Sequence, residues 1–128
     1  MNGNYIVDTN VIIKMLKADE RAVELFEQAD KIEIPAIVAG ELFYGAENSG
    51  RKQENLNMFS DFLSQYNIIE VDLPISKVYG EIKAQLKRDG LTIPENDIWI
   101  AATSKVKQST LITFDSHFSQ INGLHVKN

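Results

Sequence analysis

Two acids in this chain stand directly behind short apolar runs: Asp8 closes "YIVD" and Asp115 closes "LITFD". Runs of that length read as buried strands. Open parallel sheets bind ligands beyond the carboxyl ends of their strands, where strand order reverses. If the two strands are parallel neighbours, both carboxylates emerge at one edge, however far apart they lie along the chain. Glu41, in "IVAGELFYGA", is one helical turn from Ile37 and Gly45 and adjoins Val38 and Leu42 on the helix surface. It therefore borders an apolar face instead of opposing it. Asp97, in "PENDIWIAA", falls in a first helical turn, and the small Ala101 one turn later leaves room for a ligand to approach. Carboxylates gathered without cations raise each other's pKa values and destabilise a fold. A hard divalent cation removes that penalty, and oxygen-only ligands select Mg²⁺ or Mn²⁺ over zinc. Such an ion polarises a phosphodiester, lowers the pKa of an attacking water and stabilises the leaving oxyanion.

Each acid also has an ordinary structural role. Asp8 and Asn10 suit a helix N-cap, worth about 1 kcal/mol over Ala, and for Asn10 the cap is the preferred reading. Asp115 in "FDSHF" suits a turn, with its carboxylate as local acceptor. The stem of Glu41 can pack while its head reaches water. Asp97 gains about 0.3–1 kcal/mol from the dipole and free amides of a helix start. His117 and His125 are the only histidines, and neither has the spacing of a zinc site or of a nucleophile–base pair, so both are expected to be structural or exposed. Lys14, Lys17, Arg51, Lys52 and Arg88 are available to phosphate groups, but lone cations on helices are usually solvated, and none is given a binding role.

The elements that must position the acids alternate. "YIVD" predicts a strand, followed by helices at "VIIKMLK" and "ERAVELFEQAD", where Ala22, Leu25, Phe26 and Ala29 share a face. "KIEIPA" predicts a second strand closed by Pro35, and "IVAGELFYGAEN" a helix despite Gly40 and Gly45. After a turn at "SGR" comes a long helix bearing Leu56, Phe59, Phe62, Leu63 and Tyr66, more apolar residues than one narrow stripe needs. Those side chains either fill the protein's own core or present a surface to a partner. "NIIEVD" predicts a third strand, Ile75 to Arg88 a helix on Val78, Ile82 and Leu86, and "ENDIWIAATSKVKQ" a further helix entered through Pro94. "TLITFD" is the fourth strand, "SHFSQI" a short helical turn and "LHVKN" a fifth strand. Strands alternating with helices predict an α/β sandwich with a parallel sheet covered on both faces.

Composition sets the outer bounds. The chain has 128 residues, close to the commonest domain size, so residues 1–128 are expected to form a single domain. Hydrophobic residues make up 44% and charged residues 24%, too apolar for disorder. No run approaches the roughly 18 apolar residues of a membrane span, and "MNGNY" lacks the basic-then-apolar opening of an export signal, so a cytosolic protein is expected. The absence of cysteine excludes disulfides, thiolate zinc sites and cysteine nucleophiles. A formal charge of -5 repels nucleic acid and counts against a simple nucleic-acid-binding module. A metal-dependent nuclease tolerates it, because bound dications reverse the local sign.

Taken together, "IVDTNVII", "GELFYGA" at 40–46, "PENDIWIAATS" at 94–104, "LITFDSHF" at 111–118 and the closing "INGLHVKN" resemble the motifs of the PIN-domain ribonucleases, particularly the small VapC-like toxins of toxin–antitoxin pairs. The resemblance spans almost the whole chain and implies a three-layer sandwich with a short, mainly parallel central sheet flanked by helices. It places the family's acidic quartet on Asp8, Glu41, Asp97 and Asp115, and implies Mg²⁺ or Mn²⁺ held chiefly by Asp8 and Asp97. Glu41 and Asp115 then complete the pocket directly or through waters, while Thr9, Asn10 and Thr113 orient carboxylates or water. Phe114 stands where the family often has a polar residue. The implied reaction is hydrolysis of RNA by metal-activated water without a covalent enzyme intermediate, and the implied partners are a cognate antitoxin and a second copy in a homodimer.

Other readings predict different residues. A phosphorelay receiver wants an acidic pair after its first strand and a phosphoacceptor Asp after its third, yet Thr9 and Asn10 follow Asp8 and "IIEVDLP" offers only Asp72. A haloacid-dehalogenase-like phosphatase wants a second Asp where Asn10 stands. A PIN-type domain that only binds, and a PIN nuclease that processes RNA without being a toxin, remain as alternatives within the resemblance; retention of all four acids argues against the former.

Overall fold

Short runs of β-branched residues alternate with amphipathic helices, and a computed structural model describes the result over residues 3–128. Met1 and Asn2, at the head of the "MNGNY" opening, lie outside the described residues. The elements are β1 (Asn4–Val7), α1 (Thr9–Leu16), α2 (Glu20–Gln28), β2 (Lys31–Pro35), α3 (Ala36–Glu47), α4 (Lys52–Leu63), β3 (Asn67–Ile69), α5 (Leu73–Arg88), α6 (Glu95–Val106), β4 (Thr110–Ile112) and β5 (Val126–Lys127), with a 3₁₀ turn over Ser116–Gln120. The strands form one sheet in the order β3-β2-β1-β4-β5, and every pairing is parallel. Ile6, Val7, Ile34, Leu111 and Ile112 are completely buried, as expected of strands covered by helices on both faces. This is the three-layer α/β sandwich with a short parallel sheet.

The order matters for the site. From β1 the chain moves outward through β2 to β3, then returns to lay β4 against the other side of β1, so the strand order reverses between β1 and β4. Tyr5, Ile6 and Val7 are in register with Thr110, Leu111 and Ile112, and the Asp8 N–H donates to the Ile112 carbonyl at 2.9 Å. The ends of β1 and β4 are thereby fixed side by side.

Three strands are shorter than the sequence predicts: β5 keeps only Val126–Lys127 of "LHVKN", and β3 and β4 also end early. β4 stops at Ile112, so Asp115 stands beyond the strand, at the start of the 3₁₀ turn. The ladder cannot continue because the Phe114 N–H donates to Asn10 Oδ1 and the Asp115 N–H donates to Thr113 Oγ1. β3 stops at Ile69 because its partner ends there: Ile69 pairs with Pro35, which lacks an N–H and leads straight into α3. On α4 the ambiguity resolves toward the core. Phe59, Phe62 and Leu63 are buried, and Phe62 packs with Phe26 and Tyr66 at ring-centroid distances of 6.1 and 4.9 Å. Leu56 and Tyr66 are half-buried against the same cluster, so this stripe is not a free partner surface.

Candidate metal and phosphodiester site

At the end of β1 the backbone turns from extended to helical at Asp8 (φ -79°, ψ 158°), making Asp8 the N-cap of α1. Its Oδ1 accepts the Thr9 N–H at 2.8 Å, and its Oδ2 accepts the Thr113 hydroxyl at 2.8 Å and the Asn10 amide at 3.3 Å. Asn10 is therefore not the cap, contrary to the preferred sequence reading. It sits inside the first turn and ties α1 to the chain after β4, donating to Asp8 and accepting from the Phe114 N–H at 3.2 Å. Thr113, buried and just beyond β4, joins two acids: its hydroxyl donates to Asp8 and accepts from the Asp115 N–H at 3.0 Å.

Glu41 reaches the same edge from α3, which starts where β2 ends. Its Oε1 accepts the Thr9 hydroxyl at 2.6 Å and its Oε2 accepts the Asn96 amide at 3.2 Å. Asp97 lies in the first turn of α6, only 8% exposed, with the fully buried Ala101 behind it. Asp115 heads the 3₁₀ turn, where its Oδ1 accepts the His117 N–H at 2.9 Å. All three orienting residues expected from the sequence, Thr9, Asn10 and Thr113, thus hold an acid directly.

Asp97 and Asp115 lie close enough, with His117, to share an ion, whereas Asp8 and Glu41 stand outside that group and are linked to it by charge. The Asp8 pKa is raised to about 6: burial pushes it up most, hydrogen bonds from Thr113 and the Thr9 amide hold it back, and the charges of Asp97 and Glu41 push it further up. Asp97 is also raised, first by burial, then by Asp115 and Glu41, against a lowering contact from His117. Among the described residues no lysine or arginine ion-pairs with Asp8, Glu41, Asp97 or Asp115. Uncompensated carboxylates, two of them buried, form a donor set that fits a hard dication.

Two residues were not singled out by sequence reasoning. His117 Nδ1 is 3.0 Å from Asp115 Oδ1 and 3.4 Å from Asp97 Oδ2, so this histidine is part of the acidic cluster and not merely a surface residue. The available signal was its position two residues after a turn-capping Asp, which folds the ring back over the carboxylate. Asn96 was missed for a similar reason: it adjoins Asp97 at the helix start, and only the tertiary fold reveals its bond to Glu41. His125 is exposed, away from this group. Of the unassigned cations, Arg51 and Lys52 pair with Glu54 and Glu47, while Lys14 lies at the rim with Nζ 5.6 Å from the centre of the Phe114 ring. Asp72, the only acid a receiver reading could use after the third strand, N-caps α5 through the Ile75 N–H.

Comparison with known proteins adds an independent line. Residues 5–124 match the PIN domain family. The chain is 33% identical to Ribonuclease VapC2 of Haemophilus influenzae, covering 97% of this chain and 96% of that one. It is 28% identical to the tRNA(fMet)-specific endonuclease VapC of Shigella flexneri, with the same coverage of 97% and 96%. Among solved structures, it superposes with a TM-score of 0.88 on VapBC2 from Rickettsia felis bound to a DNA fragment from their promoter, at 31% identity over 98% of each chain.

Proposed function

The chain belongs to the PIN-domain family, and from that premise we propose that Asp8, Glu41, Asp97 and Asp115 form the catalytic site at which it hydrolyses RNA as the toxin of a toxin–antitoxin pair. It is an endoribonuclease of the VapC kind, and its activity depends on a metal ion. The observation that supports the site best is the convergence of these acids, from four separate elements, at the β1/β4 reversal with, among the described residues, no lysine or arginine paired to them.

Mg²⁺ or Mn²⁺ is the proposed ion, held chiefly by Asp8 and Asp97, with Glu41 and Asp115 completing the pocket. When bound, such an ion neutralises phosphate charge and lowers the pKa of an attacking water. The remaining work belongs to the chain. Thr113 and the Thr9 amide fix both oxygens of Asp8, Thr9 and Asn96 aim Glu41, and the hydrogen bonds hold these groups in place before substrate arrives. No side-chain nucleophile is required, and the chain has no cysteine to supply one.

The proposed arrangement is one nuclease domain over residues 1–128, acting in the cytoplasm as a homodimer and held inactive by a cognate antitoxin. No helix among the described residues is long and apolar enough to cross a membrane. A groove of about 290 Å³ lined by Ile13, Leu16, Leu42, Met58 and Phe59 reaches Glu41 and suits an apolar antitoxin segment that ends over the acids.

The test is cleavage of a mixed RNA pool with Mg²⁺, Mn²⁺ or chelator, comparing wild type with Asp8→Asn and Asp97→Asn. Cleavage that needs a dication and falls at least about a hundredfold in both folded variants supports the site. Equal cleavage by all three proteins rejects it.

A further inference from the structure

Carboxylates alone would make this centre an oxygen-only site, yet a ring nitrogen stands among them. One carboxylate oxygen from each of Asp97 and Asp115 and one ring nitrogen of His117 all lie within 4.8 Å of one another. Neighbouring ligands on an octahedral ion with bonds of about 2.1 Å are about 3 Å apart. His117 Nδ1 lies 3.0 Å from Asp115 Oδ1 and 3.4 Å from Asp97 Oδ2, close to that spacing without rearrangement of the backbone. The turn enforces the approach: the His117 N–H donates to the same Asp115 carboxylate that faces its ring, and buried Phe118 anchors the next residue. The His117 side chain is 45% exposed, so it can move its proton from Nδ1, which faces the carboxylates, to Nε2 and offer the freed Nδ1 lone pair to an ion without unpacking the core.

We propose that Asp97, Asp115 and His117 form a mixed nitrogen and oxygen metal centre, with His117 Nδ1 as a direct ligand that favours first-row transition ions, Mn²⁺ among them, over Mg²⁺. The inference rests on the acidic site proposed above and deepens it. Imidazole adds little for Mg²⁺, which prefers oxygen and keeps its waters, whereas it strengthens binding of softer divalent ions. Ligation through Nδ1 places the ring proton on Nε2.

Pulsed electron paramagnetic resonance of the Mn²⁺-loaded full chain reads this ligand directly, since a coordinated imidazole imprints ¹⁴N modulation on the echo. Wild type and an His125→Ala control are expected to show the modulation, and His117→Ala and His117→Asn to lack it. Titration is expected to show Mn²⁺ affinity falling about tenfold or more in both His117 variants, with Mg²⁺ affinity changed less than about twofold. Absence of modulation in wild type, or its survival in both His117 variants, overturns the inference, and the wild-type spectrum decides even if a variant fails to fold. Mn²⁺ binding that depends on Asp8 and Asp97 but carries no nitrogen signal removes His117 alone. Mn²⁺ binding that Asp8→Asn and Asp97→Asn leave unchanged removes the acidic site as well.

Discussion

Asp8 is 4% exposed and carries its charge without a cationic partner, so its cost to the fold depends on pH. In the fold its pKa is about 6, against an ordinary value of 3.8, and between those values the folded protein keeps a proton that the unfolded chain has released. The stabilisation from protonated Asp8 is therefore present below about pH 4 and lost as pH rises through about 6, a change of about 3 kcal/mol in the ion-free protein. Asp97, also raised, adds in the same direction. Denaturant curves in chelator are expected to show stability falling from pH 4 to pH 7, with a shallower fall in Asp8→Asn. A wild-type profile that is flat or rising over that range contradicts the assignment. Thr113 offers a second probe, because its buried hydroxyl serves Asp8 and Asp115 together. Thr113→Val keeps the shape but removes both bonds, so we expect a loss of about 1–3 kcal/mol and cleavage reduced about 10–100-fold. Unchanged cleavage in that variant would show that Asp8 needs no such support.

Between α1 and α2 the chain turns through Ala18 at φ 62°, a left-handed conformation that costs a residue with a Cβ about 1–2 kcal/mol. Glycine there avoids the strain and gives back part of the gain as unfolded-chain entropy. Ala18→Gly is expected to raise stability by about 0.5–1 kcal/mol with RNA cleavage unchanged, as thermal melts and a cleavage assay would show. The same scale explains what could be read in advance. The helical stripes and the order of strands were legible because side-chain burial imprints a period on the sequence. The true ends of β3 and β4 were not, because Pro35 on a neighbouring strand ends one and side-chain bonds from Asn10 and Thr113 end the other. The placing of Asp8 at a strand end, Glu41 on a helix and Asp97 in a first helical turn was legible, whereas Asp115 lies beyond the strand that was expected to carry it. Asn10 was misjudged as a cap because capping is a local rule, while its actual partner, Phe114, is distant in sequence. His117 was passed over because a single histidine has no spacing to read, and only the turn after Asp115 reveals its neighbours.

For the molecule as a whole, a net charge of -5 concentrates part of its imbalance in one pocket, and an ion bound only by the native state shifts the folding equilibrium. At 100 times its dissociation constant such an ion contributes about 2.7 kcal/mol, so saturating Mn²⁺ is expected to raise Tm by roughly 5–15 °C, and chelator to reverse the shift. A doubly substituted Asp8→Asn, Asp97→Asn protein should show almost none of this response. Equal responses in the two proteins would place the stabilising ion elsewhere. The pairing of β1 with β4 carries a further consequence. Asp8 leaves the ribosome well before β4, the strand that seats it, and 105 residues before Thr113, whose hydroxyl holds it. A nascent chain therefore cannot assemble this cutting centre until β4 and Thr113 have emerged as well, which keeps an RNA-degrading fold inactive while its first elements are being made.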